Sequence, residues 1–188
     1  MKHCKYYRLN VSLILALVCC TGTYSATAEN RFSPYVDNKG NISSPVDFRN
    51  SMVHLGSWFV PKGAASGFHD VYTEKATVNI FRKTGKFPDG ATLVKELRAS
   101  DAGDYSTGNG VHYATSSVKQ WFVMIKDTKN RFSGNGLWGD GWGWALFKPG
   151  ADSKNSAVDY KKDCLSCHVP AKDKDWIYTE AYPILTEQ

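Results

Sequence analysis

Close to its C-terminal end the chain carries Cys164-Leu165-Ser166-Cys167-His168, and C-x-x-C-H is the spacing at which a c-type haem is attached covalently. The two thiols can form thioethers with the haem vinyl groups, and the adjacent imidazole then lies where it can bind the iron from one face. Any fold available to this chain must therefore leave room for a macrocycle beside its last segment.

The cysteine count narrows the alternatives. Of five cysteines, Cys4, Cys19 and Cys20 fall in an export-type leader, which leaves Cys164 and Cys167 for the mature chain. No disulfide framework is then possible. A zinc site would need further ligands at recognisable spacing, and no second C-x-x-C or H-x-x-x-H supplies them. A thioredoxin-like dithiol normally opens a helix early in a βαβ unit, whereas this pair sits near the chain end. Zinc and dithiol chemistry stay as the weaker readings.

The N-terminus indicates where the haem would be added. Lys2, Lys5 and Arg8 form a basic region, Val11 to Cys20 an apolar one, and Ala26-Thr27-Ala28 a small-residue cleavage site, so residues 1–28 read as a signal peptide. The apolar run falls short of the roughly 20 residues of a membrane span, and no membrane span is expected. A lipoprotein anchor at Cys19 or Cys20 lacks the usual small residues before it. Export to a periplasm, where covalent haem attachment is completed, is the expectation. Removing the leader takes away three of 23 Lys+Arg against 18 Asp+Glu, lowering the net charge from +5 to +2. No basic stripe for nucleic acid or polybasic membrane patch is left, and Arg82-Lys83 and Lys161-Lys162 read as solvated faces.

Residues 29–188 suit one domain, strand-dominated α+β, in which an antiparallel sheet and a few short helices pack around one haem. Residues 29–42 read as a loose arm. Ser44-Pro45-Val46-Asp47 offers a cap, a first-turn proline and a capping box for a helix ending near Gly56. Val71 to Thr73 reads as a strand end, and Glu74 to Thr84 as a helix with Ala76, Ile80 and Phe81 on one face and Gly85 as its stop. Phe87-Pro88-Asp89-Gly90 is a turn. Strands follow at 92–98, 120–126 and 142–147, separated by glycine-rich segments 106–110 and 134–141. The second segment lacks the signatures of phosphate and calcium loops and reads as a hairpin turn.

These strands discriminate among haem proteins. Class I cytochromes c place C-x-x-C-H early with a methionine ligand downstream, and no methionine follows His168. Helical cytochromes c-prime carry the motif late but are four-helix bundles, which the segments around Val94 and Val123 do not fit. Met52 and Met124 read as core fillers, so five-coordinate iron with one open face is expected.

Thr92-Leu93-Val94-Lys95-Glu96-Leu97 contains one discordant residue. A strand places Leu93, Lys95 and Leu97 on one face and Val94 and Glu96 on the other. A lysine among leucines must reach water, find an anion or shed its proton. Snorkelling past an edge strand is the plain reading; a neutral, nucleophilic amine is the alternative.

From about Ser57 to Tyr182 the chain resembles the cytochrome P-460 family and its relatives, the β-sheet cytochromes c-prime. The likeness lies in His69-Asp70-Val71-Tyr72, Thr84-Gly85-Lys86-Phe87-Pro88-Asp89-Gly90, Lys95-Glu96-Leu97, Ile125-Lys126-Asp127, the tryptophan-rich strand, C-x-x-C-H, Asp175 and Tyr182-Pro183. It implies a periplasmic antiparallel-sheet protein, usually homodimeric, in which a lysine matching Lys95 is bonded to a haem meso carbon, giving haem P-460. It also implies hydroxylamine oxidation at the open iron face opposite His168, with electrons passed to a partner cytochrome. Active members carry a glutamate in the strand before Lys126-Asp127, where this chain has Phe122. Phenylalanine cannot accept a proton, a departure that moves the chain toward relatives that bind nitric oxide or carbon monoxide without turnover. His69 stands where an active member can have arginine and is the candidate replacement base, its plain alternative being a structural histidine.

Overall fold

A computed structural model describes Met1, residues 32–151 and residues 154–186. Residues 2–31, which hold the expected leader apart from Met1, lie outside the described residues. Six antiparallel strands form one sheet: β1 (Val53–Val60), β2 (Gly67–Thr73), β3 (Thr92–Tyr105), β4 (Gly108–Lys126), β5 (Trp138–Gly139) and β6 (Trp142–Phe147), in the order β1-β2-β3-β4-β6-β5. Two-residue turns join β3 to β4 and β5 to β6, the β2–β3 connection carries a helix, and β6 rather than β5 pairs with β4. The strand-dominated α+β expectation holds.

Both faces of the sheet are covered. Leu55, Val71, Leu93, Met124, Trp142 and Trp144 point to one side, where the helix α2 (Lys75–Thr84) and residues of the C-terminal segment pack on them. Val94, Val123, Ile125, Ala145 and Phe147 alternate to the other, against Ile42, Phe48 and Trp138. Double coverage is why β3 begins as a nearly continuous buried run rather than as a polar/apolar alternation.

The N-terminal region differs from expectation in two ways. Its described part, residues 32–42, is docked rather than loose: Phe32 packs on Phe132 and Trp138, Arg131 lies over the Phe32 ring at 4.0 Å, and Val36 bridges Ile42. The expected helix from Ser44 to Gly56 is a single turn, α1 (Phe48–Ser51), capped at Asp47 without a side-chain cap bond. Residues from Val53 onward belong to β1, whose ladder with β2 runs from Val53 to Val60 with one irregularity between His54 and Gly56 and outweighs a short helix, which is marginal on its own. Arg49 of this turn reaches the buried Glu96 carboxylate, which also accepts from Trp121 Nε1 at 3.0 Å. That ion pair fastens the turn to the sheet face away from Lys95.

Helix α2 ends at Gly85 in the left-handed conformation, as expected, but its buried positions are Thr77 and Val78, with Phe81 partly covered and Ile80 exposed. The ring of Phe87 draws Phe81 inward, their centroids 4.7 Å apart, and so rotates the helix away from the Ala76 and Ile80 face. Strands β3 and β4 run far beyond their expected ends, pairing out to Tyr105 and Gly108. The outer part is largely solvent-exposed on both faces and hence carries no apolar alternation in its sequence. Of the segment 134–141 expected as a hairpin turn, Trp138–Gly139 is instead strand β5, and only residues 140–141 make the turn into β6. No described helix is long and apolar enough to cross a membrane.

Candidate haem site

Helices α3 (Tyr160–Asp163) and α4 (Leu165–His168) carry the attachment motif. The Asp159 side chain caps α3 by accepting from Lys161 N, and Cys164 and Cys167 then lie one helical turn apart, on neighbouring positions of a helix surface. Cys167 is exposed and Cys164 half-buried. Burial pushes the Cys164 thiol up to about 11, with the Asp163 carboxylate adding to it. Uncharged sulfur in an apolar wall suits thioether bonding to a vinyl group better than metal ligation by thiolate.

His168 is oriented by a backbone partner. Its Nδ1 lies 2.7 Å from the carbonyl oxygen of Trp176, and a carbonyl only accepts, so Nδ1 carries the proton and Nε2 presents a free lone pair. Burial lowers its pKa, which keeps the ring neutral. The edge of Trp144 meets the imidazole at 4.9 Å and 80°. Such a neutral, fixed imidazole is what an axial iron ligand needs.

Behind His168 the chain makes an unusual turn. After the 3-10 segment Val169–Lys174, Asp175 and Trp176 both have positive φ, 58° and 67°, a conformation that crowds Cβ in any residue but glycine. Lys126 Nζ lies 2.6 Å from Asp175 Oδ1, and Trp142 Nε1 donates to the Asp175 carbonyl oxygen at 3.0 Å.

The motif faces the sheet across an apolar cavity of about 180 Å³. Cys164, Cys167 and His168 line it on one side; His69, Lys95, Phe122, Met124 and Trp144 line it on the other strands, and Tyr178 and Tyr182 complete the rim. Every residue that the sequence singles out for the site thus meets here. Lys95 and Phe122 are direct partners across β3 and β4, and the lysine nitrogen sits 4.1 Å from the centre of the Phe122 ring. Burial is the main cause of the fall in the Lys95 pKa to about 8. At that value an appreciable fraction of the amine is neutral at ordinary pH, so it can act as a nucleophile.

His69, on β2, stacks on Trp58 with centroids 5.1 Å apart and planes 16° apart. Its Nε2 donates to the Ala65 carbonyl oxygen at 2.8 Å, while Nδ1 is buried without a hydrogen-bond partner. Burial lowers its pKa too. A buried orphan lone pair in a cavity wall is uncommon and points to a group that is absent from the protein alone. Met124 lies in the core face beside the cavity, and Met52 packs in the opposite cluster.

Some parts of the site carry little signature in sequence. The Trp176 contribution is a backbone carbonyl, to which side-chain identity is no guide. Trp144 and Trp58 are legible only as alternating apolar positions on strands. Taken together, an apolar cavity, two thiols one turn apart, a neutral imidazole with a free Nε2 and a buried amine fit a covalently held haem by their donor chemistry.

Comparison with known proteins agrees with this geometry. No curated protein matches the chain. A family model described as Cytochrome P460 matches residues 45–179, a span that runs from just before α1 through the cavity-lining strands and the C-x-x-C-H motif past Tyr178. The chain therefore belongs to the cytochrome P-460 family of haem cytochromes.

Proposed function

We propose that this chain is a periplasmic mono-haem c-type cytochrome that oxidises hydroxylamine, or nitric oxide, and passes the electrons to a partner cytochrome. When bound, a haem would supply an iron able to bind the nitrogen substrate and accept its electrons. Cys164 and Cys167 would provide the thioether sulfurs and His168 Nε2 a nitrogen ligand for the iron. Lys95 provides an amine able to form a third covalent bond to the macrocycle. The likeness in motif sequence supports a homodimer and a leader removed at export.

The observation that carries the enzyme reading is the unpartnered Nδ1 of His69 in the wall of the same cavity as Lys95. Oxidising hydroxylamine releases protons, and a neutral imidazole with a bare lone pair accepts one without further rearrangement. The apolar lining keeps bulk water from serving instead. The test is anaerobic turnover of the haem-loaded protein with hydroxylamine and an artificial oxidant. Electron consumption above the enzyme-free control is expected; none beyond control sinks the reading.

A specific observation favours a second reading, binding of nitric oxide or carbon monoxide without turnover. Phe122 presents hydrocarbon directly beside Lys95, where resemblance to active members leads one to expect a carboxylate. Tight gas binding combined with no electron consumption from hydroxylamine would select it.

A further inference from the structure

We propose that Lys126 and Asp175 form a positioning pair for the axial histidine: their ion pair holds the turn whose Trp176 carbonyl receives the His168 Nδ1 proton, and so sets how strongly Nε2 donates to iron. The inference rests on His168 being the iron ligand, as proposed above.

The turn needs external support. Asp175 and Trp176 are two successive non-glycine residues at positive φ, and a tryptophan has no local hydrogen bond by which its side chain could favour that conformation. Such backbone persists only where its surroundings determine it. Three ties do so here. The Trp176 amide donates back to the Ala171 carbonyl oxygen at 2.9 Å. The indole of the fully buried Trp142 reaches the Asp175 carbonyl oxygen at 3.0 Å and its Oδ1 at 3.3 Å. Lys126 Nζ meets the same Oδ1 at 2.6 Å, with its side chain 11 % exposed.

Lys126 and Trp142 are themselves paired across β4 and β6, with the ammonium 4.8 Å from the indole ring. Two adjacent positions at the end of a rigid ladder therefore grip one carboxylate, and that carboxylate belongs to the residue preceding the carbonyl bonded to His168. The route from sheet to imidazole is short: Lys126, Asp175, the Trp176 carbonyl, Nδ1. A stronger bond at Nδ1 gives the ring more imidazolate character and makes Nε2 a better donor. A better donor favours ferric over ferrous iron. Loosening the turn should act in the opposite sense.

The experiment compares the haem-loaded full chain with Lys126→Met, Asp175→Asn and Lys126→Arg, reading the reduction midpoint potential and the ferrous iron–histidine stretching frequency. The two charge-removing variants are expected to shift the potential to more positive values and the stretch to lower frequency, and Lys126→Arg to stay near wild type. Unchanged potential and stretch in folded Lys126→Met and Asp175→Asn overturn the proposal. A shift in Lys126→Arg as large as in Lys126→Met also overturns it, because the charge would then not be what positions the turn. Should both charge-removing variants fail to fold, Asp175→Glu decides: it keeps the charge but displaces the turn by one methylene, and a wild-type potential in it counts against the pair. Absence of an iron–histidine stretch in the wild type would instead remove the ligand assignment itself, a failure distinguishable from the others.

Discussion

Lys95 is the residue on which the proposed cross-link turns, and its environment would make the timing of that bond pH-dependent. With a pKa near 8, the neutral fraction of the amine rises about tenfold between pH 7 and pH 9 and then levels off. Under a fixed oxidant, formation of the lysine–haem bond should follow that curve. Its progress is read as a strong red shift of the ferrous Soret band, which Lys95→Met should lack at every pH; an ordinary c-type Soret position in the matured wild type would refute the cross-link. At His69 the sign is opposite in consequence. Burial lowers its pKa below 6.5, so the acceptor stays neutral at pH 7 and the acid limb of turnover should lie below pH 6.5. His69→Ala should cost about 10²–10⁴-fold in hydroxylamine turnover while leaving the absorption spectrum intact, and equal rates would return His69 to a structural role. Replacing Phe122 by glutamate is less simple than the sequence suggests. A carboxylate there would stand beside Lys95, raise the lysine pKa and hold the amine protonated. The variant should gain turnover only if the cross-link has formed, so Phe122→Glu is expected to mature more slowly, read as a delayed red shift at pH 8.

Elements decide which of these residues can meet. Strand β1 approaches the C-terminal segment so closely that a Cβ on Gly56 would lie 2.0 Å from the Ala181 carbonyl oxygen. Gly56→Ala must therefore push residues 179–182 outward, and Tyr182 lines the cavity. A loss of about 1–3 kcal/mol in denaturant unfolding of the haem-loaded protein is expected, and unchanged stability would mean that the contact relaxes freely. The strands behind the site were readable because period-two alternation puts Leu93, Lys95 and Leu97 on one face, and the cavity does lie on that face. The stop of α2 was readable because Gly85 supplies a left-handed cap. What could not be read depends on partners distant in sequence. Ser44 to Asp47 has the local pattern of a helix start, yet the residues that follow are claimed by pairing with β2. The outer reaches of β3 and β4 bury too little to pattern their sequence. Lys126 and Asp175 stand 49 residues apart and become a pair only when a sheet end and a C-terminal turn converge.

At the scale of the whole molecule, the haem cavity separates one covered face of the sheet from the C-terminal segment that would hold the cofactor covalently. The opposite face is closed by protein alone, through Ile42, Phe48, Val94 and their neighbours. Stability should accordingly be divided: one face is complete on folding, and the other, already covered by α2 and the C-terminal segment, should gain further packing when a macrocycle fills the cavity, as ligand binding to the native state alone requires. On the proposed reading, export and the cavity are linked: thioether formation at Cys164 and Cys167 would be completed after a leader had carried the chain across a membrane. A form lacking residues 1–28 and retained in the cytoplasm should fold without covalent haem and melt at lower temperature than the exported protein. Intact-mass measurement after acid–acetone extraction checks both halves: the exported chain should begin at Glu29 and keep one haem, and the retained chain should lose all of it. Replacing both Cys164 and Cys167 by alanine in the exported chain should lower its melting temperature toward that of the retained form. An exported chain that still begins at Met1, or a retained chain that keeps its haem through extraction, would break the link between leader, thiols and cavity on which this account of the molecule depends.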